Sequence, residues 1–253
     1  MTVATQPRED ADVESSSERY ARRFDGPVGR WFVDLQTRIT LECLAGLPAG
    51  ATILDVGGGH AQVAPPLVEA GYRVTVVGSD PSCGARLEPL TSAGLCRFDV
   101  GDLQALPYGA QAFDAVICYR LIAHSVDWRH LIGELCRVAR DRVIVDYPAR
   151  SSVNLASSAL FRIKSSIEGG TTRPFALYGR GEIARAFEAA GFAVSSARSQ
   201  FLFPMALYRL AGSLRLARAA EGLAQALGLT GLLGSPVITR ADRRLESGGS
   251  PRR

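Results

Sequence analysis

The residues best suited to chemistry sit in one short run and at a few acids downstream of it. Thr52 to Gln62 reads T-I-L-D-V-G-G-G-H-A-Q. Ile53, Leu54 and Val56 form the apolar run expected of a strand buried on both faces of a parallel sheet, with Asp55 interrupting it. Gly57, Gly58 and Gly59 follow at once. Glycines directly after a strand let the backbone turn tightly and approach a ligand with no Cβ between them. A second β-branched run, Arg73 to Val77, ends in Gly78-Ser79-Asp80-Pro81. An acid at that strand end can accept hydrogen bonds from both hydroxyls of a ribose. Asp80 lies ~25 residues after Asp55, close to the ~20 expected of such a ribose acid. Asp before Pro is also ordinary turn chemistry, so a purely structural reading stands beside the functional one.

Spacing separates two cofactors that use a strand, a glycine turn and a helix. A dinucleotide fingerprint, G-x-G-x-x-G/A, needs Gly or Ala where this chain has Gln62. The pattern here is acid-x-G-x-G-x-small, through Asp55, Gly57, Gly59 and Ala61. Further on come Gly101-Asp102, then Leu106-Pro107, then Phe113-Asp114 opening an apolar strand. In order and spacing these resemble the class I S-adenosylmethionine-dependent methyltransferases of the small-molecule type. The likeness spans roughly Tyr20 to Ala241 in architecture, and its specific motifs lie between Ile53 and Trp128.

That resemblance implies an α/β, doubly wound, Rossmann-like fold with a seven-stranded sheet. The sheet is mostly parallel with an antiparallel last strand, preceded by a helical insertion. S-adenosyl-L-methionine is the implied cofactor. Asp55, Gly57, Gly58 and Gly59 would meet its methionine portion, Asp80 and Pro81 its ribose, and Asp102 and Leu103 its adenine. Cys118 and Tyr119 are further cofactor candidates, and Arg120 an acceptor candidate, because ligands lie beyond the carboxyl ends of strands in open α/β sheets. Tyr147, at the end of the fifth strand, joins Arg120, Tyr20 and Phe24 as lining for the acceptor. His124 falls where many relatives carry a histidine and could take a proton from an acceptor hydroxyl. Each assignment has a plainer alternative: His124 as a turn cap, Tyr20 and Phe24 as ordinary helix packing. The chain departs from the pattern before its fifth strand, where Arg140-Asp141 replaces a Pro-Gly-Gly turn.

Several elements must position these residues. Residues 1–17 are polar and acidic, and read as a disordered lead-in. Residues 18–243 read as one methyltransferase domain, and 244–253 as a flexible tail. Leu155 to Ile167, within a stretch ending near Pro174, reads as a lid helix. The segment 204–234 is far longer than a hairpin loop needs, and Leu207, Leu210, Ala211 and Leu214 share one helical face within it. Two readings remain open for it: packing on the sheet edge or in a homodimer, and a greasy, Arg-rimmed cover for a hydrophobic acceptor or a membrane surface.

Composition narrows the partners. The 253 residues are 47% hydrophobic with a net charge of +4, and the arginine pairs lack interleaved aromatics, which argues against a nucleic-acid groove. Five cysteines show no C-x-x-C spacing, so no metal site is expected, and free thiols suit a cytoplasmic protein. No apolar run reaches the ~18 residues of a spanning helix, and the N-terminus lacks a secretory layout. The N/D-P-P-Y motif, the Pro-Cys nucleophile and the Asp-Asn pair of metal-dependent catechol enzymes are all missing. A small organic acceptor remains, with oxygen ahead of nitrogen or carbon. The alternatives are an NAD(P)-dependent oxidoreductase or a non-catalytic cofactor-binding protein.

Overall fold

The computed structural model describes residues 10–125, 127–152 and 176–244. Seven strands form one sheet in the order β3-β2-β1-β4-β5-β7-β6. They are β1 (Thr52–Val56), β2 (Arg73–Gly78), β3 (Cys96–Val100), β4 (Phe113–Cys118), β5 (Ala139–Tyr147), β6 (Phe192–Phe201) and β7 (Ser235–Arg243). The first five pair in parallel. Strand β7 runs antiparallel to both β5 and β6, as the resemblance implied.

Side chains alternate across a strand, so the apolar runs feed two cores. Leu54, Val56, Val116, Val143 and Val145 pack with α6 (Trp128–Val138) and α7 (Arg180–Ala189) on one face. Ile53, Ala115, Ile117 and Ile144 pack with α3 (Gly26–Leu44) and α4 (Ala64–Glu69) on the other. Burial on both faces is what makes these strands continuous apolar runs. Arg142 crosses to the second layer and donates to the Cys43 and Ala45 carbonyls at 2.8 and 3.1 Å, closing the end of α3.

Local chemistry moves some boundaries. The helix after the glycine turn begins only at Ala64, because Gly57 and Ala61 are left-handed (φ 73° and 55°) and bracket a 3₁₀ turn over Gly58–His60. Pro65 and Pro66 then supply a first turn that needs no amide donors. Strand β5 begins at Ala139 and runs through Arg140-Asp141, where a longer turn is expected from the resemblance.

The largest correction concerns the lead-in. Its described part is ordered: α1 spans Ala11–Ser15, and Ala11, Asp12, Ser15 and Ser16 are buried. Next come α2 (Glu18–Ala21) and a 3₁₀ turn over Arg22–Phe24. The lid helix expected at Leu155 to Ile167 lies outside the described residues, as does most of the 244–253 tail.

Segment 204–234 folds as three helices, α8 (Met205–Leu210), α9 (Leu214–Ala226) and α10 (Leu229–Leu233). They pack beside β6 and α3, where the Phe32 and Phe201 rings stack 3.6 Å apart and Tyr208 and Ala217 are buried. The anchor is Tyr208 and not the leucine face: Leu207 and Leu210 are exposed, Leu210 at 81%. Glu221 holds the unit together, accepting from the Leu202 amide (3.0 Å), the Thr230 hydroxyl (2.6 Å) and the Tyr208 hydroxyl.

Candidate active site

The site is built at the carboxyl ends of β1 to β4. Asp55 is fully buried near the end of β1, and neither carboxylate oxygen has a hydrogen-bond partner among the described residues. Burial pushes its pKa up to about 7, with Arg120 opposing the shift. Gly58 makes the position feasible, since a Cβ there would overlap the Asp55 carboxylate. His60 is buried in the same turn, its Nδ1 accepting from the Gln62 amide at 3.2 Å and its Nε2 without a partner among the described residues. Burial first, and then Arg120 and Arg86, drive its pKa well below the usual value, so the ring is neutral.

Asp80 and Asp102 stand at the ends of adjacent strands, tied by the Gly101 amide donating to the Gly78 carbonyl at 3.0 Å. Both side chains are exposed. Each also closes its own turn: Asp80 Oδ1 accepts from the Ser82 amide at 2.8 Å, and Asp102 Oδ1 from the Gln104 amide at 2.9 Å. Turn chemistry and ligand chemistry therefore coexist at these acids. Pro81 opens the 3₁₀ helix that Asp80 caps, and Leu103 is fully buried behind Asp102.

Past β4 the chain brings three acceptor candidates together. The Arg120 guanidinium lies 4.5 Å from the Phe24 ring centroid and 5.7 Å from that of Tyr20, and those rings are 5.9 Å apart. Its Nη2 donates to Gln36 Oε1 at 2.9 Å, whereas Nη1 is buried without a partner among the described residues. Its backbone is left-handed (φ 63°), and its amide donates to Asp146 Oδ1 at 2.6 Å. Burial raises the Asp146 pKa to about 6, opposed by the Arg120 amide and charge. Burial likewise raises the Tyr20 pKa, partly offset by Arg120.

The remaining candidates are placed differently. Cys118 is buried with the α6 face. Tyr119 lies on the opposite face, its hydroxyl 2.7 Å from that of Thr40. Tyr147 is also buried, and its hydroxyl accepts from Thr239 at 3.4 Å. These three side chains are built into the core around the site. His124 ends a 3₁₀ turn just beyond Arg120 and is half-buried.

Sequence reasoning passed over Asp12, Gln36, His60 and Asp146. Asp12 is buried, and its carboxylate accepts from the Ser79 amide and hydroxyl at 2.7 and 2.5 Å. Asp146, an acid ending an apolar strand, carried the same signal as Asp80. Asp12 carried none, because its partners lie 67 and 71 residues away.

The arrangement can be tested against an adenosine cofactor. A cradle that any Cβ would fill, an orphaned buried carboxylate beside it and two exposed acids on neighbouring strand tips fit a ligand with a cationic end and a nucleoside end. Among the described residues no cluster of His, Cys, Asp and Glu could hold a metal ion, and no helix is long and apolar enough to cross a membrane.

The sheet order, with its antiparallel last strand, is that of the class I methyltransferase fold. Residues 54–145 match the family described as methyltransferase domain. Among solved structures, the chain resembles magnesium protoporphyrin IX methyltransferase from Synechocystis PCC 6803 with bound S-adenosylhomocysteine, at 17% identity and a TM-score of 0.60, over 88% of this chain and 92% of that one. It also resembles a structure of the Haloferax volcanii Trm112 methyltransferase activator with a methyltransferase, at 16% identity and a TM-score of 0.63, over 95% and 100%. A third similar structure is the [4+2]-cyclase SpnF, at 18% identity and a TM-score of 0.57, over 84% and 81%. A search of curated proteins finds no match. The match over 54–145 is to a methyltransferase domain, and these solved structures share the fold of this chain.

Proposed function

We propose that this protein transfers a methyl group from S-adenosylmethionine to a small, hydrophobic organic acceptor, at oxygen ahead of nitrogen or carbon. The observation that carries the reading is the buried, unpartnered Asp55 carboxylate beside Gly57–Gly59, with Asp80 and Asp102 on the next two strand tips. Asp55 would accept from the cofactor's ammonium group, Asp80 from its ribose hydroxyls and Asp102 from its adenine amino group. When bound, the cofactor supplies an activated methyl group for direct in-line displacement.

The residues of the chain supply position and dryness. Well-oriented reactants can gain ~7–11 kcal/mol from alignment alone, and the Arg120, Tyr20 and Phe24 cluster would contribute to that alignment. His124, next along the chain, would hold the proton leaving an acceptor hydroxyl. The dinucleotide alternative loses support against the methyltransferase domain match. A second reading, the fold used without methyl transfer, is kept in view by the resemblance to a cyclase.

Leu210, Leu216, Leu223, Leu227 and Leu232 are all exposed on segment 204–234, where the exposed charged side chains are Arg209, Arg215 and Arg218 and the acid Glu221 is buried. An apolar surface with positive charge suits an anionic membrane that presents the acceptor. The five free thiols support a cytoplasmic location. Vesicles with anionic lipid should co-sediment the protein and Leu210→Ser with Leu223→Ser should release it; a salt-insensitive homodimer buried on this face would overturn the membrane contact.

The function itself is tested by titrating S-adenosylhomocysteine calorimetrically and by following labelled methyl transfer into host extracts. Asp80→Ala should abolish binding. Undiminished binding in that variant would remove the ribose assignment, and binding without transfer to any extract component would favour the non-catalytic reading.

A further inference from the structure

Helix α1 lies against the glycine turn. Asp12 is 1% exposed, and besides its two bonds to Ser79 it accepts from the Cys83 thiol at 3.3 Å. Its Cβ is 3.4 Å from where a Cβ on Gly57 would stand, and Ser16 Oγ is closer still to the corresponding point on Gly59. Ala11 is buried in the cluster that contains Val56, Val77, Leu103 and Leu121, at the tips of the strands that carry the acids. Asp12 and Ser16 thus crowd the glycine turn at Gly57 and Gly59, beside Asp55 at Gly58 and the Cys83 carbonyl at Gly59. The Ser79 donors, next to Asp80, are taken by the Asp12 carboxylate.

We propose that residues 10–17 are an autoinhibitory strap, docked through Asp12 on Ser79 when no cofactor is bound and displaced before the cofactor can enter. This rests on the methyltransferase reading, which assigns the glycine turn and Asp80 to the cofactor. A five-residue helix can leave at small cost, since isolated helices of that length are not stable by themselves. Ser17 links the strap to the acceptor cluster: its Oγ accepts from the Tyr20 amide at 3.2 Å, capping α2. Glu18 pairs with Arg86, which donates to the His60 carbonyl at 3.4 Å. Undocking the strap therefore also loosens the segment carrying Tyr20, so cofactor entry and rearrangement of the acceptor lining are coupled.

The strap lowers apparent affinity by the fraction of molecules in which it is docked. In the full chain, Asp12→Ala should bind S-adenosylhomocysteine about tenfold more tightly than the wild type by calorimetry, the size expected if ~10% of molecules are undocked. Independently, in the wild type, S-adenosylhomocysteine should speed hydrogen exchange at the amides of 11–16, including Ser16, which is bonded to the Asp12 carbonyl at 2.9 Å. Equal or weaker binding by Asp12→Ala, or slower exchange at 11–16, would overturn the strap and leave the methyltransferase reading standing. Absence of binding by wild type and variant alike would overturn both. Binding by the variant alone would support the strap most strongly.

Discussion

Arg120 donates its backbone amide to the buried Asp146 carboxylate at 2.6 Å, from a left-handed conformation that a non-glycine residue seldom adopts. That bond aims the Arg120 side chain back over Phe24 and Tyr20, and it sets an acid in the interior next to a fixed positive charge. Burial outweighs that charge, because the Asp146 pKa rises to about 6 from its ordinary 3.8.

A carboxyl whose folded pKa exceeds its unfolded one stabilises the fold in its protonated form. Its contribution is complete below pH ~4 and fades as pH rises through about 6, a change on the order of 3 kcal/mol. Asp146→Asn keeps the acceptor for Arg120 and cannot ionise. Urea unfolding at pH 5 and 7.5 should therefore show a smaller loss of stability with pH in Asp146→Asn than in the wild type. An unchanged pH slope would show that Asp146 is solvated in the folded protein.

Asp55 should trade stability for binding. Its carboxyl titrates at about 7 in the cofactor-free fold, so the stability it lends is lost between pH ~4 and 7. Asp55→Asn should raise the melting temperature at pH 8 and weaken S-adenosylhomocysteine binding at least about tenfold, the cost of one charge-assisted bond. A variant less stable at pH 8 than the wild type would contradict the burial argument.

Gly58→Ala tests the same place sterically. The added methyl would overlap the Asp55 carboxylate, forcing that side chain to rotate or the turn to open. Binding of S-adenosylhomocysteine should fall by an order of magnitude or more, with a stability loss of about 1–3 kcal/mol. Wild-type affinity in this variant would mean that Asp55 has no part in the cofactor contact.

Glu221→Ala tests whether 204–234 depends on one side chain. Removing it orphans the Leu202 amide and the Thr230 and Tyr208 hydroxyls in a buried setting, at a cost of about 2–4 kcal/mol. Limited proteolysis should then cut first within 204–234. Cleavage no faster than in the wild type would show that the Phe32, Phe201 and Tyr208 packing suffices.

The sheet and the glycine turn were legible in the chain because they are specified locally. Ile53, Leu54 and Val56 must be buried on both faces, Gly57 to Gly59 must follow, and Asp80 and Asp102 must end their strands. The strap, the Gln36 contact and the Asp146 bond were not legible. Asp12 meets Ser79 across 67 residues and Arg120 meets Gln36 across 84, and nothing near either residue in sequence names its partner. Segment 204–234 shows the same divide. Its leucine spacing announced helices, but which face packs was decided by Trp31, Phe32 and Phe201, which offered their rings to Tyr208 and left the leucines outside. Periodicity and turn chemistry are properties of neighbours along the chain, whereas a buried carboxylate's partner depends on which surfaces the folded sheet brings together.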